Sequence, residues 1–421
     1  MRSVEEQQAR VSAAAVAPRP VRVAIAEAQG LMCAEEVVAE RPMPAFDQAA
    51  IDGYAVRSVD VLGADAIGDS SDGAGRDDAV TLPVLGVIEA GARTPTRLQP
   101  KLATRIQTGA PMPTLADAVL PLRWTDGGSS RVRVLRGVRP GDYVRRVGDD
   151  VQPGDVAVRA GTVVGAAQVG LLAAVGRDRV LVHPRPRLSV LAVGGELVDV
   201  NRTPGNGQVY DVDSYALAAA GRDAGAEVNR VGIVSSDPKK LREAVEGQLN
   251  RAEVVVIAGG VGGAAADEVR AVLADLGEME VARIAMHPGS VQGFGQLGPE
   301  GVPTFLLPTN PVSALVVFEV MIRPLIRLSL GKREPMRRMV RARTLGPITS
   351  MPGRKGFLRG QLMRDEETGE YLVQILGASG GASSHLLATL AEANCLVVVP
   401  EEVEQVSAGE LVDVAFLAQR G

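Results

Sequence analysis

The run Val254-Val-Val-Ile-Ala258, followed by Gly259-Gly-Val-Gly-Gly263 and then by a helical pattern from about Ala266 to Leu276, decides the fold. An apolar run that ends in a glycine cluster and opens a helix is a strand-turn-helix unit. The same unit recurs on either side. Upstream, Leu188-Ser-Val-Leu-Ala-Val193 ends in Gly194-Gly195, a helix is expected over 213–225, and a strand over 227–234. Ser236-Asp-Pro238 opens a second helix, with Ser236 or Asp237 as cap and Pro238 in the first turn. Downstream, strands are expected at 281–286 and 304–307, and Pro308-Thr-Asn-Pro311 leads into a last helix reaching about residue 328. Strands alternating with helices predict an α/β domain, a parallel sheet covered on both faces. Ligands of such sheets bind outside the carboxyl ends of the strands, where these glycine loops lie.

The chain changes character outside this region. Residues 1–40 are alanine- and glutamate-rich and read as a helix, then extended chain up to Arg41-Pro-Met-Pro44. Short apolar runs separated by Gly, Pro and Asp over 61–138 predict a small, mostly β insertion, and the Gly-, Asp- and Ser-rich 67–78 segment reads as a mobile loop. A helix is expected over 163–175, ending at Gly176. The polar, basic Gly331-Lys-Arg-Glu-Pro-Met-Arg-Arg338 reads as a linker, followed by a compact β unit with one helix near 384–392. Four subdomains follow: 1–60 with 139–186, 61–138, 187–330 and 331–421.

With 46% apolar and 23% charged residues, the 421-residue composition is that of a globular protein of two to four domains. A net charge of -5 and 3% aromatic residues argue against a nucleic-acid partner. Two distant cysteines, Cys33 and Cys395, and a charged N-terminus without a secretory signal predict a cytoplasmic protein. The most apolar stretch, 312–322, is too short to span a bilayer and contains Glu319, so no membrane insertion is expected. The three histidines lack metal-ligand spacing, and neither a Gly-x-Ser-x-Gly elbow nor a Walker-type loop is present. The Gly259–Asp267 stretch can either receive an anion on its backbone N–H groups or serve only as a tight turn. Asp267 reads as a helix-terminus charge or as a metal or proton ligand, Asp52 as a turn residue, and Thr108 as a hydroxyl on a rigid loop.

Six blocks in order carry a resemblance: Pro44-Ala-Phe-Asp-Gln-Ala-Ala-Ile-Asp-Gly-Tyr-Ala-Val-Arg57, Arg105-Ile-Gln-Thr-Gly-Ala-Pro-Met-Pro113, Val144-Arg-Arg-Val-Gly-Asp-Asp150, Gly207-Gln-Val-Tyr-Asp211, Gly259-Gly-Val261 and Leu307-Pro-Thr-Asn-Pro-Val-Ser-Ala314. Together they resemble the MoeA/gephyrin family of molybdopterin molybdenumtransferases. The resemblance implies a four-subdomain, elongated homodimer. Its parts would be a central three-layer doubly wound α/β domain, a small β insertion and a C-terminal β-barrel-like domain. It implies molybdate and adenylylated molybdopterin as substrates, with Mg2+ assisting cleavage of the adenylate. Gephyrin-like members also act as scaffolds for short peptide tails, for which the tail of the tubulin-like division protein FtsZ is the bacterial candidate. Carried over by motif, Asp52, Thr108 and Asp267 would be catalytic and Asp267 also a metal ligand. Gly259, Gly260, His287, Ser290, Asn310 and Ser313 would bind substrate.

The chain departs from the family pattern where anions are held. Gly262 and Ala265 replace a hydroxyl and a carboxylate, His287 and Ser290 replace two lysines, and Gln296 replaces a third. Gly195 stands for an acid and Thr309 for a glycine. Each lysine–oxyanion bond contributes about 1.5 to 3 kcal/mol, so two or three lost bonds weaken binding at least a hundredfold. Protonated His287, or Arg354, Lys355 and Arg359, could restore positive potential, but the three basic residues read first as a solvated face. The expectation is therefore a dimeric peptide-binding scaffold with insertion weak or lost; the alternative is an active transferase.

Overall fold

The computed structural model describes residues 1–62, 64, 80–94, 96–262, 266–377 and 387–417. The expected 67–78 loop lies outside the described residues. The chain forms two compact units, Met1–Val21 with Val182–Gly421, and Arg22–Leu181.

The first unit is built on strands β1 (Arg187–Val193), β2 (Glu227–Val234), β3 (Val254–Ala258), β4 (Gly277–Arg283), β5 (Val291–Leu297) and β6 (Val302–Leu307). Their order across the sheet is β2-β1-β3-β6-β5-β4. Side chains of β3 alternate between two cores, as the period of a strand requires. Val254 and Val256 join Leu188, Val190 and Phe305 on one face, whereas Val255 and Ile257 join Leu191, Val193 and Leu306 on the other. Helices α1 (Val4–Ala13) and α2 (Asp213–Ala224) cover the first face, together with the long segment formed by α5 (Pro311–Val317) and α6 (Arg323–Ser329). Helices α3 (Pro238–Leu249) and α4 (Ala266–Ala274) cover the second.

Parallel pairing joins only β2, β1, β3 and β6. β4 and β5 form an antiparallel hairpin against β6, where a wholly parallel sheet and a single strand at 281–286 were expected. Glycines hide this hairpin. A Cβ at Gly295 would lie 2.0 Å from the Glu278 carbonyl oxygen, and one at Gly293 would lie 2.8 Å from Leu306 Cβ. Glycine is required by close approach inside a strand, yet in a sequence it reads as a loop.

Between α5 and α6 the backbone widens into a π turn over Phe318–Ile322. Pro324 has no N–H to offer the Val320 carbonyl four residues earlier. The Gln8 side-chain amide from α1 donates to that carbonyl at 3.0 Å, which ties the N-terminal helix into the fold.

Beyond it, β7 (Met339–Thr344), β8 (Lys355–Arg364), β9 (Tyr371–Ile375), β10 (Cys395–Val399) and β11 (Leu411–Phe416) pair in the cycle β8-β9-β7-β11-β10-β8. This is a closed five-strand barrel around Ala342, Val373, Val397, Val414 and Cys395, whose thiol burial pushes up to about 12. Met286–His287 pairs in parallel with the start of β8, so the barrel delivers the residues just before Lys355 to the sheet domain.

The second unit contains a five-stranded sheet ordered Ala118–Pro121, Gly53–Val56, Ala103–Ile106, Thr81–Ile88 and Arg131–Arg133. Tyr54, Val56, Leu82, Leu120 and Val132 form its core. A helix, Ala166–Ala174, ends before Gly176, which adopts φ +79°.

Candidate functional site

The glycine turn after β3 is shaped by steric need. Gly259 and Gly260 have φ of +106° and +80°. A Cβ on Gly259 would lie 2.3 Å from the Val193 carbonyl oxygen, and one on Gly260 would lie 2.6 Å from Val269 Cγ1. Both glycines are thus required by the turn itself. Arg270 Nε and Nη2 donate to the carbonyls of Gly260 at 3.2 Å and Val261 at 2.8 Å, fixing the turn from α4. Asp267, in the first turn of α4, has a side chain 98% exposed, with Arg270 at 3.7 Å.

Val261 and Gly262 border a cavity of about 420 Å³ together with His287, Ser290, Thr309, Ser313 and Arg354. It lies at the carboxyl ends of β3 and β6. Gly289 permits the tight approach of this segment to α5, since a Cβ there would lie 2.4 Å from Val317 Cγ2. Asn310 caps α5, its Oδ1 accepting the Ser313 N–H at 3.0 Å, and so orients the turn that carries Ser313. His287, Ser290 and Ser313 are therefore brought together, whereas Gly259, Gly260 and Asn310 do not border the cavity and act through the turns that carry its lining residues. Asp267 does not border this cavity.

The three basic residues meet three fates. Arg354 borders the cavity and forms no ion pair among the described residues. Lys355 pairs with Glu5 of α1. Arg359 is only 7% exposed, and burial lowers its pKa. The solvated-face expectation is thus corrected for Arg359, which is buried, while Arg354 borders the cavity just before the strand that pairs with Met286–His287. His287 is also corrected as a replacement cation. Burial, then Arg354 and Arg359, lower its pKa, favouring the neutral imidazole.

A second cavity, of about 370 Å³, lies at the ends of β1 and β3, bordered by Val193, Glu196, Tyr210, Asp213, Ala258 and Thr309. Thr309 borders both cavities. Asp213 is 9% exposed and its Oδ1 is buried with no hydrogen-bond partner. Burial, then the neighbouring Asp211, push its carboxyl up to about 7. Asp211 instead accepts the Ser214 N–H at 2.9 Å and the Ser214 hydroxyl. Sequence reasoning missed Asp213 and gave Arg354 no site. The only signal for Asp213 was a second acid two residues after Asp211, at the start of a helix.

Asp52 and Thr108 stand together in the second unit. Asp52 Oδ1 accepts the Thr108 N–H at 2.7 Å and its hydroxyl at 2.8 Å. These two bonds lower the Asp52 pKa and keep it a carboxylate. Among the described residues no group of three His, Cys, Asp or Glu side chains could hold a metal ion. No helix among the described residues is long and apolar enough to cross a membrane.

Three family models match along the chain. The MoeA N-terminal region (domain I and II) matches residues 2–176, a probable molybdopterin binding domain matches 189–328, and the MoeA C-terminal region (domain IV) matches 341–417. The chain is 81% identical to molybdopterin molybdenumtransferase 1 of Mycobacterium tuberculosis over 100% of both chains. It is 38% identical to molybdopterin molybdenumtransferase 2 of the same organism, over 98% of this chain and 99% of that one. Its fold matches the crystal structure of the molybdopterin biosynthesis MoeA protein from Pyrococcus horikosii with a TM-score of 0.80 and 30% identity, over 99% of each chain. A glycine-turned α/β sheet, a closed barrel that lends it Arg354, and full-length likeness to molybdenumtransferases together make this chain a member of the MoeA family.

Proposed function

We propose that the chain inserts molybdenum into adenylylated molybdopterin, with molybdate received in the cavity of His287, Ser290, Ser313 and Arg354. The observation that carries this reading is Arg354. A guanidinium keeps its charge at any physiological pH and offers a fork of donors to a tetrahedral oxyanion. It supplies at this cavity the positive charge that the replaced lysines would have given. The Ser290 and Ser313 hydroxyls add neutral donors, and uncharged His287 adds one more. In this reading Asp267, beside the glycine turn, would hold Mg2+ with substrate phosphate oxygens, and the ion would offset charge on the phosphoanhydride. Asp52 and Thr108 remain candidate catalytic groups of the second unit. The enzyme is proposed to act in the cytoplasm as a homodimer.

Purified protein mixed with adenylylated molybdopterin, molybdate and magnesium is expected to release molybdenum cofactor. Arg354→Ala is expected to weaken molybdate binding at least tenfold, from loss of a charge-assisted bond contributing about 1.5 to 3 kcal/mol. Thermal unfolding should be unchanged. A parent protein that binds molybdate yet releases no cofactor would overturn the reading.

One feature favours the scaffold as a second role. An apolar groove of about 200 Å³ is bordered by Val320, Met336, Met339, Phe357, Leu396 and Val398. Methionine-rich apolar surfaces accept varied side chains. A peptide tail such as that of FtsZ would dock there, and its fluorescence anisotropy titration should respond to Met339→Glu. A Met339→Glu protein that binds the tail as tightly as the parent removes this role.

A further inference from the structure

The cavity of Glu196 and Asp213 lacks the His287, Ser290, Ser313 and Arg354 proposed to receive molybdate, yet it opens at the same strand ends. Thr309 belongs to both walls, so one elongated substrate can occupy both cavities. Buried polar groups nearly always have partners. Asp213 has none for its Oδ1, while its neighbour Asp211 is engaged by Ser214, with Arg230 at 3.7 Å. A carboxyl kept without donors at the wall of a cavity is a binding group awaiting them. The surrounding wall of Val193, Leu197 and Ala258 suits a flat ring, and Glu196 adds a second acceptor.

The ring most complementary to a carboxylate presents two N–H donors side by side. The aminopyrimidinone half of a pterin does so, with a ring N–H beside the exocyclic amine, whereas adenine alternates donor with acceptor. We propose that Asp213 binds the aminopyrimidinone edge of the pterin, setting molybdopterin across Thr309 with its metal-receiving end toward Arg354. This assignment rests on the transferase reading and adds to it a residue that selects the heterocycle.

Unsubstituted pterin is the probe, followed by its own fluorescence at pH 8 with the full-length protein. Asp213→Ala and the isosteric Asp213→Asn should each weaken pterin binding at least tenfold, and molybdate affinity, measured by calorimetry, should stay within twofold of the parent. AMP should fail to displace pterin from the parent. Unchanged pterin affinity in both variants overturns the assignment, and so does displacement by AMP, which would mark the cavity as the adenine site. If cofactor release persists in the parent under either result, the transferase reading stands and only Asp213 is misassigned. A parent inert toward adenylylated molybdopterin overturns both.

Discussion

Asp213 keeps its carboxyl where water hydrates it poorly and the Asp211 carboxylate opposes a second charge. Its pKa rises from 3.8 to about 7 as a result. The sign of the stability effect follows from linkage. Below about pH 4 the group is neutral in both folded and unfolded chains and contributes nothing. Between about pH 4 and 7 the unfolded chain loses the proton first, so stability falls as pH rises, and the deficit is complete above pH 7. A shift of about 3 units corresponds to at most about 4 kcal/mol. Asp213→Asn should therefore raise the urea midpoint at pH 8 by the equivalent of about 2 to 4 kcal/mol and barely change it at pH 4. Equal gains at both pH values would show that the carboxyl is ionised throughout.

Sequence reading fails at this scale for identifiable reasons. Arg354, Lys355 and Arg359 lie within six positions of one another, yet one borders a cavity, one pairs with Glu5 and one is buried. Their difference is set by strand pairing with Met286–His287, about 70 residues distant in sequence, which no local pattern encodes. Asp267, His287, Ser290 and Ser313 were named as candidates because short motifs carry them. Whether such residues converge was not.

At the scale of elements, α2, α3 and β1 to β3 stand where apolar runs, the Pro238 start and the Gly225 stop place them. The helix expected over 213–225 ends one residue earlier, at Ala224, and Gly225 takes a left-handed cap at φ +104°. The β4–β5 hairpin was concealed by the same glycines that let it form. The α5–α6 segment shows a different dependence on remote chain. Its Val320 carbonyl, which Pro324 has no N–H to serve, is met by Gln8. Gln8→Ala should lower stability by about 1 kcal/mol, one net hydrogen bond, measured by urea unfolding. An equal loss from Gln8→Glu would be consistent, since a carboxylate has no proton to donate. Full stability in both variants would show the bond to be idle.

At the scale of the whole molecule, residues 22–181 form an excursion between two parts of one unit. Its ends lie side by side, because Val21–Ala24 and Arg179–His183 are neighbouring strands and Ile25 N–H donates to the Asp178 carbonyl at 3.0 Å. Adjacent ends and an internal core are the conditions for independent folding. A fragment of residues 22–181 should therefore unfold cooperatively by circular dichroism; a fragment without a transition would tie its folding to the remainder of the chain.

The bond from Gln8 to Val320 also fixes an order of events during synthesis. The two residues are 312 positions apart. At about 5 to 20 residues per second, a ribosome needs roughly 15 to 60 seconds to make the second after the first. For that interval the Gln8 amide lacks the carbonyl that holds it, and α1 waits for the α5–α6 segment to be made.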